Sequence, residues 1–318
     1  MNRGKDRAVL VLSGGVGGAK LVRGLARAVP DCDLRVIVNT ADDFEFHGLH
    51  ICPDLDTVMY ALSGLQNEQT GWGIQGDSWN AHEMLGRYGA PTWFRLGDRD
   101  LATHLVRTKL LREGQPLSVV TRSLASALGV AAALQPMTDD RVETFVQTEE
   151  GELAFQEYFV REGTHPAVRG VRFAGIEAAD PSEVLLGSIR EVELIVIAPS
   201  NPVASIEPIL ALPGVREQLQ RSRALRVAVS PIIGGRALKG PTVQFLEAVG
   251  VEATAVGIAG HYRDVLDTLV VDRMDAGAES EIRRLGLDVI VGDTVMRTGE
   301  DRVRVARLAL SSLWPSEQ

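Results

Sequence analysis

Short apolar runs recur along the chain, and nearly every position within each run is apolar. Strands with this pattern are covered by other elements on both faces of a sheet. The runs predict seven β-strands: Ala8–Ser13, Leu34–Asn39, Leu117–Val120, Leu194–Ala198, Leu225–Ser230, Val251–Ile258 and Leu287–Val291.

Helix-like segments lie between these runs. Their predicted bounds are Lys20–Ala28, Pro181–Glu191, Pro202–Leu212, Thr242–Val249 and Asp301–Trp314. Strands that alternate with helices predict an α/β fold with a doubly wound, mostly parallel, Rossmann-like sheet. We expect residues 1–318 to form a single enlarged α/β domain.

Two regions interrupt the alternation. Residues 57–115 have a mostly helical pattern and include Trp72 and Trp79, so they predict a helical excursion that flanks the active site. Residues 142–161 alternate apolar and polar positions on either side of a Glu-Glu-Gly turn. This alternation predicts a β-hairpin, a small two-stranded ribbon at an edge of the fold.

The charge of the chain disfavours nucleic acid as a partner. The chain has 318 residues and a formal net charge of −9, and it contains no long block of Lys or Arg. A nucleic-acid-binding protein needs a basic surface to neutralise phosphates. Any anionic ligand must therefore be held locally, by loops, a metal ion or a few cations.

The N-terminus and the cysteines indicate a cytoplasmic protein with no membrane partner. The first apolar run is five or six residues long and leads into glycines, which is typical of a strand and not of a signal peptide or membrane span. Cys32 and Cys52 form no CxxC pair, and no His/Cys cluster has zinc spacing. We expect two reduced thiols.

A glycine-rich loop follows the first predicted strand. Its sequence, SGGVGGAK, contributes Gly14, Gly15, Gly17, Gly18 and Lys20. Glycines here let the backbone approach a phosphate, and the following helix presents free N–H groups. The loop matches neither the Walker motif nor GxGxxG. We expect it to bind an anion, although glycines also serve close packing of helix on sheet.

The segment NTADD ends the second predicted strand. It contains Asn39, Asp42 and Asp43, and ligands of open parallel sheets bind at this edge. Two carboxylates beside a phosphate loop could hold Mg2+, which prefers oxygen ligands. The alternative is an Asp pair that caps a turn or a helix.

Two further acidic motifs lie at the start of the helical excursion and within it. PDLDT, which contains Asp56, leads into the excursion, and RLGDRD within it contains Arg95, Asp98 and Asp100. Spacing alone favours a helix cap over a ligand contact for Asp56, and capping is also the alternative for Asp98 and Asp100, because carboxylates are common at helix starts.

Polar loops also follow two later strands. Ser200 and Asn201 come after one strand, and Ser230 comes after the next with Lys239 a few residues on. Both loops are expected at the same sheet edge as the glycine loop. Lys239 could reach a phosphate or could be an ordinary exposed lysine.

Taken together, these motifs resemble one family, the CofD-type 2-phospho-L-lactate transferases of coenzyme F-420 biosynthesis. The resemblance runs from residue 13 to about residue 272 and rests on SGGVGGAKL, VNTADD, PDLDTVMYALSG, TGWGIQGDSW, RLGDRDLATHL, IAPSNPVASI, SPIIGGRALKGP and GIAGHYRDVLDTLVVD.

The resemblance implies a reaction. The hydroxyl of the deazaflavin Fo attacks the distal phosphorus of a guanosine diphosphate carrier of a phospho-acid, GMP leaves, and Mg2+ is required. The donor acid stays open among lactate, enolpyruvate and glycerate, because these acids differ by small groups. A homodimer is also expected.

The resemblance also assigns roles to residues. Fo would contact Asp56, Arg95, Asp98 and Asp100. The nucleotide and its phosphates would contact the glycine loop with Lys20, together with Asn39, Ser200, Asn201, Ser230 and Lys239. Asp42 and Asp43 would bind Mg2+, and the catalytic carboxylates would be Asp42, Asp43 and Asp56.

Two alternatives compete with the transferase. A non-catalytic, nucleotide-sugar-binding regulatory protein of the same superfamily would share the glycine loop and the Asp pair, but there the pair leads into a Gly/Ser-rich stretch. Here it leads into Phe-Glu-Phe-His-Gly. A NAD-dependent dehydrogenase would need an acidic residue where Asn39 ends the second strand.

Overall fold

Parallel strands form the central sheet of this computed structural model, which describes residues 7–237 and 241–315. The strands of the described chain are β1 Ala8–Ser13, β2 Asp33–Val38, β3 Phe44–Phe46, β4 Leu49–Ile51, β5 Ala133–Pro136, β6 Glu143–Thr148, β7 Gly151–Ala154, β8 Val168–Ala174, β9 Leu194–Ile197, β10 Leu225–Val229, β11 Ile232–Ile233, β12 Arg236–Ala237, β13 Thr268–Asp272 and β14 Asp288–Gly292.

Helices cover both faces of this sheet. They are α1 Gly15–Ala28, α2 Pro53–Ser63, α3 Asn80–Arg87, α4 Asp98–Arg112, α5 Leu117–Ala127, α6 Glu183–Glu191, α7 Glu207–Ala211, α8 Val215–Arg221, α9 Thr242–Ala248, α10 Ala255–Tyr262, α11 Glu279–Arg284 and α12 Gly299–Ser311. Short π-helical turns span Glu157–Arg161 and Pro202–Ile206, and 3-10 turns span Ile176–Ala178 and Arg273–Ala278. Among the described helices, none has the length and apolar character required to cross a bilayer.

The order of the strands creates one switch point in the sheet. The order is β14-β13-β10-β9-β1-β2-β5, and every neighbouring pair is parallel. From β1 the chain moves outward through β2 to β5, whereas from β9 it moves outward through β10 in the other direction. The loops after β1 and β9 therefore separate above two adjacent strands, which is where open α/β sheets bind ligands.

The core explains why the predicted strands lack alternation. In β1 the side chains of Leu10 and Leu12 pack into one apolar cluster, while Val9 and Val11 pack into a second cluster on the opposite face. Both faces of the strand are removed from water, so both faces need apolar residues. The predicted doubly wound α/β sheet is confirmed.

Two predicted strands are helical in the structure. Leu117–Val120 forms the first turn of α5, whose buried positions Leu117, Val120, Thr121 and Ala125 repeat with helical spacing. Val251–Ile258 runs into α10, because Thr254 Oγ1 accepts a hydrogen bond from the Gly257 N–H and starts that helix. Short apolar runs suit both element types, and here the flanking Pro116 and the Thr cap favour helices.

Two strands of the sheet were not predicted. β13 consists of five buried residues and lies between β10 and β14. β5 has four residues, ends at Pro136 and pairs only with β2, so it forms one edge of the sheet. A proline is tolerated at such a strand end, but it hides the strand in a pattern analysis.

The two regions outside the alternation also form regular elements. The helices α2, α3 and α4 make up most of the helical excursion. Within residues 142–161, β6 and β7 pair as an antiparallel hairpin, and Glu157–Arg161 forms a π-helical turn. The ribbon has three strands where two were predicted, because β8 pairs with the free edge of β6.

Candidate active site

The glycine loop and the Ser200 loop are tied together at the switch point. The Gly14 N–H donates to Ser200 Oγ at 3.0 Å, and Ser200 Oγ donates to the Gly14 carbonyl at 2.6 Å. β1 thus ends against the loop that follows β9, and α1 begins immediately afterwards at Gly15. The structure brings together these two predicted nucleotide-binding segments.

Glycine is required at two positions of α1 because neighbouring groups approach its backbone. A Cβ atom on Gly17 would lie 2.3 Å from the Pro199 carbonyl oxygen, and one on Gly18 would lie 2.2 Å from Ser13 Oγ. Both distances are far shorter than van der Waals contact. Close packing therefore explains Gly17 and Gly18, and their predicted contact with phosphate stays a prediction.

Gly14 and Gly15 border a group of buried carboxylates. A Cβ atom on Gly14 would lie 2.5 Å from Asp54 Oδ2, so only a residue without a side chain fits beside that carboxylate. Gly15 has a φ of 59°, in the left-handed region that favours glycine. The start of α1, with its free N–H groups, thus lies next to an acidic side chain.

Asn39 bridges two of these carboxylates. Its Nδ2 donates to Asp42 Oδ2 at 3.0 Å and to Asp54 Oδ2 at 3.1 Å, while its Oδ1 accepts from the Ala41 N–H at 3.0 Å. The Asn39 side chain is buried where β2 ends. It therefore fixes the positions of two acids at the carboxyl edge of the sheet.

Among the described residues, no Lys or Arg forms an ion pair with these buried acids, and the basic neighbour of Asp43 is His50, 3.5 Å away. Burial raises the pKa of Asp42 well above its usual range, with a further contribution from the Asp54 charge. Burial likewise raises the pKa of Asp43, and it raises the pKa of Asp54 to about 6. Desolvation of an ionised carboxylate has this effect when nothing compensates the charge.

The unpartnered oxygens in this group fit a cation. Asp42 Oδ1 and both carboxylate oxygens of Asp43 are buried and accept no hydrogen bond of ordinary geometry from the described residues. Buried polar atoms in native structures are normally paired, so these oxygens call for a ligand. Carboxylate oxygens are the donors that Mg2+ prefers. Asp42 and Asp43 thus have the donor type and the free lone pairs that the predicted Mg2+ requires.

Asp56 lies in a separate buried ion pair. Arg107 donates from Nη1 to Asp56 Oδ2 at 3.0 Å and from Nη2 to Asp56 Oδ1, and the Arg107 side chain is only 1% exposed. Because both carboxylate oxygens of Asp56 already accept from a guanidinium, this acid is poorly suited to remove a proton. Its predicted catalytic role stays a prediction.

Asp100 extends the ion-pair network. Tyr60 donates from its hydroxyl to Asp100 Oδ1 at 2.7 Å, and His104 Nε2 lies 3.3 Å from Asp100 Oδ2. His104 Nδ1 in turn lies 3.7 Å from Asp56 Oδ2. Two of the four residues predicted to contact Fo thus belong to one buried cluster on α2 and α4.

Asp98 and Arg95 lie apart from that cluster. Asp98 accepts hydrogen bonds from Ser78 Oγ, from the Asn80 side chain and from the Ala81 N–H, and these bonds hold the pKa of Asp98 below its usual range. It accepts from backbone N–H groups at the start of α3, whereas the alternative interpretation of RLGDRD expected it to cap the helix at which it stands, α4. Arg95 is exposed, and its guanidinium lies 4.2 Å from the centre of the Trp79 ring.

Of the remaining predicted nucleotide contacts, Asn201 and Ser230 bond within their own loops. Asn201 Oδ1 accepts from two N–H groups of the π-helical turn that follows it, and Ser230 Oγ bonds with the backbone of Ile232. Lys20 Nζ donates to the Met296 carbonyl at 3.0 Å. Lys239 lies outside the described residues. The phosphate contacts predicted for these four residues remain predictions.

Sequence reasoning missed Asp54 and Arg107. Asp54 and Asp56 are two positions apart in the first turn of α2, so they point in different directions, and only Asp56 was selected. The spacing of Asp100, His104 and Arg107 places all three on one face of α4, and this periodicity was the available signal for Arg107.

Comparison with known proteins decides the family. The sequence pattern described as 2-phospho-L-lactate transferase CofD matches residues 9–304. This chain belongs to the CofD family. The family expected from the motifs is therefore confirmed, and the CofD-family chain is a transferase.

Named relatives of the CofD-family chain cover nearly its whole length. A phosphoenolpyruvate transferase of Streptomyces griseus is 44% identical over 95% of this chain and 97% of its own. A 2-phospho-L-lactate transferase of Methanosarcina mazei is 38% identical over 96% of this chain and 100% of its own.

A solved structure shares the fold of the CofD-family chain. The crystal structure of a Bacillus halodurans protein of the upf0052 family has a TM-score of 0.65 and 17% sequence identity, and the match covers 96% of this chain and 99% of that one. At this identity the likeness concerns the fold alone.

Proposed function

We propose that this CofD-family chain transfers a phospho-acid from a guanosine diphosphate carrier to the hydroxyl of Fo, releasing GMP, in coenzyme F-420 biosynthesis. The names of the relatives support this class of transfer. The observation that carries the proposal is the group of uncompensated carboxylates Asp42, Asp43 and Asp54 beside the glycine loop. A divalent cation would offset the negative charge of these carboxylates and would bind the diphosphate of the donor at the same time.

The donor diphosphate would lie at the start of α1. Backbone N–H groups in the first turn of a helix have no partner within the helix, and the helix dipole favours anions there. Mg2+ held by Asp42 and Asp43 would offset the charge that builds on the pyrophosphate. Transfer of this kind depends mainly on positioning and charge stabilisation.

Asp54 is our proposed general base for the attacking hydroxyl. Its pKa of about 6 suits proton transfer near neutral pH, and Asn39 holds one of its oxygens in place. Asp56 is a weaker candidate because Arg107 occupies both of its oxygens. In this scheme Asp54 accepts the proton of the Fo hydroxyl as the oxygen attacks phosphorus.

The acceptor ring would contact the helical excursion near Arg95. The half-buried Trp79 and the exposed Arg95 form a cation–π pair, which offers a flat surface and a donor to a heterocycle. Trp93 instead packs against Phe44 and Phe46, with ring centres 5.9 and 5.0 Å away, so it serves a local aromatic core.

Of the three acids that the donor could carry, we propose enolpyruvate first. Identity is 44% to the phosphoenolpyruvate transferase of Streptomyces griseus and 38% to the 2-phospho-L-lactate transferase of Methanosarcina mazei. The active-site group described above contains no feature that separates the acids.

The test is product analysis with each donor. Purified protein, Fo and Mg2+ are incubated with the enolpyruvyl, lactyl or glyceryl guanosine diphosphate donor, and GMP and the deazaflavin products are measured by mass spectrometry. We expect GMP and an Fo phosphodiester in equal amounts, fastest with the enolpyruvyl donor. Nucleotide binding with unchanged Fo for all three donors would instead favour the non-catalytic regulatory alternative.

A further inference from the structure

Three side chains with different metal-binding atoms meet between β2 and α2. They are Asp43 after β2, His50 in β4 and Cys52 immediately before α2, and one donor atom from each lies within 4.8 Å of the others. His50 Nε2 is 3.5 Å from Asp43 Oδ2. The His50 backbone N–H donates to Thr108 Oγ1 at 2.8 Å, which fixes β4 against α4.

The nitrogen and oxygen donor atoms of this group form no hydrogen bond that meets ordinary geometry with the described residues. The Asp43 side chain is 8% exposed, and neither of its oxygens accepts a hydrogen bond from a described residue. His50 Nε2 is also buried without a hydrogen-bond partner, and Cys52 is fully buried. The Asp43 carboxylate and the His50 imidazole face each other at 3.5 Å, and a metal ion between them would bond to an atom of each.

A neighbouring cluster shows what a compensated group looks like. Asp56, Asp100 and His104 also bring three metal-binding atoms together, but there the Arg107 guanidinium binds both oxygens of Asp56. For Asp43, no Lys or Arg of residues 7–237 and 241–315 forms an ion pair. The second cluster contains a permanently charged guanidinium, whereas the basic side chain that faces Asp43 is the imidazole of His50.

We propose that Asp43, His50 and Cys52 bind a zinc-type divalent ion, with the fourth coordination position open to water. Carboxylate, imidazole and thiolate together form a donor set that favours zinc-type ions over Mg2+. Bonds of about 2.0–2.3 Å in a tetrahedral site separate ligand atoms by about 3.3–3.7 Å. The 3.5 Å between His50 and Asp43 fits that separation.

Ion entry and proton release follow from the same arrangement. The His50 side chain is 31% exposed, so part of this ligand is in contact with solvent. Cysteine binds a metal as the thiolate, so the Cys52 proton must leave to solvent as the sulfur–metal bond forms. Asp43 also belongs to the Mg2+ pair proposed above, so the two ions would share or compete for this carboxylate.

Cobalt titration tests the site without any catalytic assay. Co2+ is added to metal-free wild-type protein while absorbance from thiolate-to-cobalt charge transfer is recorded in the near ultraviolet. We expect a band that saturates at one ion per chain and disappears when Zn2+ is added. Cys52→Ser should abolish the band. Cys32→Ser is the matched control and should retain it, because Cys32 lies outside the group and its thiol donates to the Arg7 carbonyl.

The proposal fails if folded wild-type protein gives no thiolate band, or if Cys52→Ser retains the band. Loss of the band in Cys32→Ser would also overturn it. Should Cys52→Ser not fold, His50→Gln replaces it and should weaken Co2+ binding at least about tenfold, with His165→Gln as the control. The Mg2+-dependent product assay on wild-type protein is a separate readout, so failure here is distinguishable from failure of the proposed transferase function.

Discussion

Asp54 shows how strongly the position of a single carboxylate can depend on the fold. The sequence predicts an acidic site in PDLDT, but it does not indicate which of two aspartates faces the glycine loop. That choice depends on how α2 rotates against β1 and β2, which is a property of packing and not of local sequence. The location of Asp42 and Asp43 was predictable, because they lie in the loop after β2, whose carboxyl end is fixed by the sheet.

Replacement of Asp54 by Asn should raise the stability of the fold while it lowers turnover. The folded-state pKa of Asp54 is about 6, above its ordinary value of 3.8, so the ionised group destabilises the fold at higher pH. Asp54→Asn should stabilise the protein by about 1–3 kcal/mol above pH 6, and this gain should shrink to nil below about pH 4. Thermal unfolding at several pH values measures the gain.

The same variant should lose turnover if Asp54 is the base. We expect Asp54→Asn to reduce the rate of GMP release about 100-fold or more, with the protein folded. Full turnover in this variant would remove Asp54 from the mechanism, whatever its effect on stability.

The Asp56–Arg107 pair should be costly to break. Both side chains are buried and bound through two hydrogen bonds, so Arg107→Met leaves an unpaired buried carboxylate. We expect a loss of about 3–5 kcal/mol in the free energy of unfolding. Arg161→Met is the control, because it breaks an exposed pair with Glu157 and should cost less than about 1 kcal/mol. Equal losses in urea titrations would contradict the buried assignment.

At the scale of secondary-structure elements, the turn from β1 into α1 depends on packing contacts with a distant loop, and the local sequence does not reveal these contacts. The glycines of this turn were predicted to serve phosphate binding, with close packing as the alternative. The structure gives Gly17 and Gly18 a packing role through the Ser200 loop, which is about 180 residues away along the chain. Long-range contact of this kind has no local signature.

Alanine at Gly17 should therefore be unfavourable even though it lies in a helix. Alanine normally stabilises a helix relative to glycine by roughly 0.5–1 kcal/mol. At Gly17 the new Cβ would lie 2.3 Å from the Pro199 carbonyl, so we expect Gly17→Ala to lose about 1–3 kcal/mol. Gly187→Ala in α6 has nothing within 4 Å and should be neutral or stabilising. Guanidinium unfolding distinguishes the two variants.

The start of α3 should depend on Asp98. Hydrogen bonds, foremost that from Ser78, hold the pKa of this carboxyl below its usual range, so the ionised form stabilises the fold. Asp98→Asn should lower the melting temperature at pH 7, and the difference from wild type should fade as the pH drops below about 4. Asp31→Asn, at an exposed turn, is the control. A difference that persists unchanged at pH 3 would contradict the capping role.

At the scale of the whole molecule, the parallel sheet was predictable and its edges were not. Buried strands such as β1 and β9 have apolar residues on both faces and stand out in the sequence. The edge strand β5 is short and ends in proline, and β8 joins the ribbon through pairing with a distant strand. Pairing partners and the rotation of elements depend on tertiary packing. The sequence therefore indicates which loops lie at the carboxyl edge of the sheet, but not which side chains contact one another there.

The central claim is that a divalent cation and a diphosphate bind together beside Asp42, Asp43 and the start of α1. Crystals grown with Mn2+ and the guanosine diphosphate donor test it directly, because Mn2+ prefers the same oxygen ligands and gives an anomalous signal. The account predicts an anomalous peak within bonding distance of the Asp42 and Asp43 carboxylates, with the diphosphate against Gly14 and Gly15. A peak and diphosphate elsewhere, such as in the groove lined by Glu193, Arg226 and Asp267 at the opposite edge of the sheet, would contradict it.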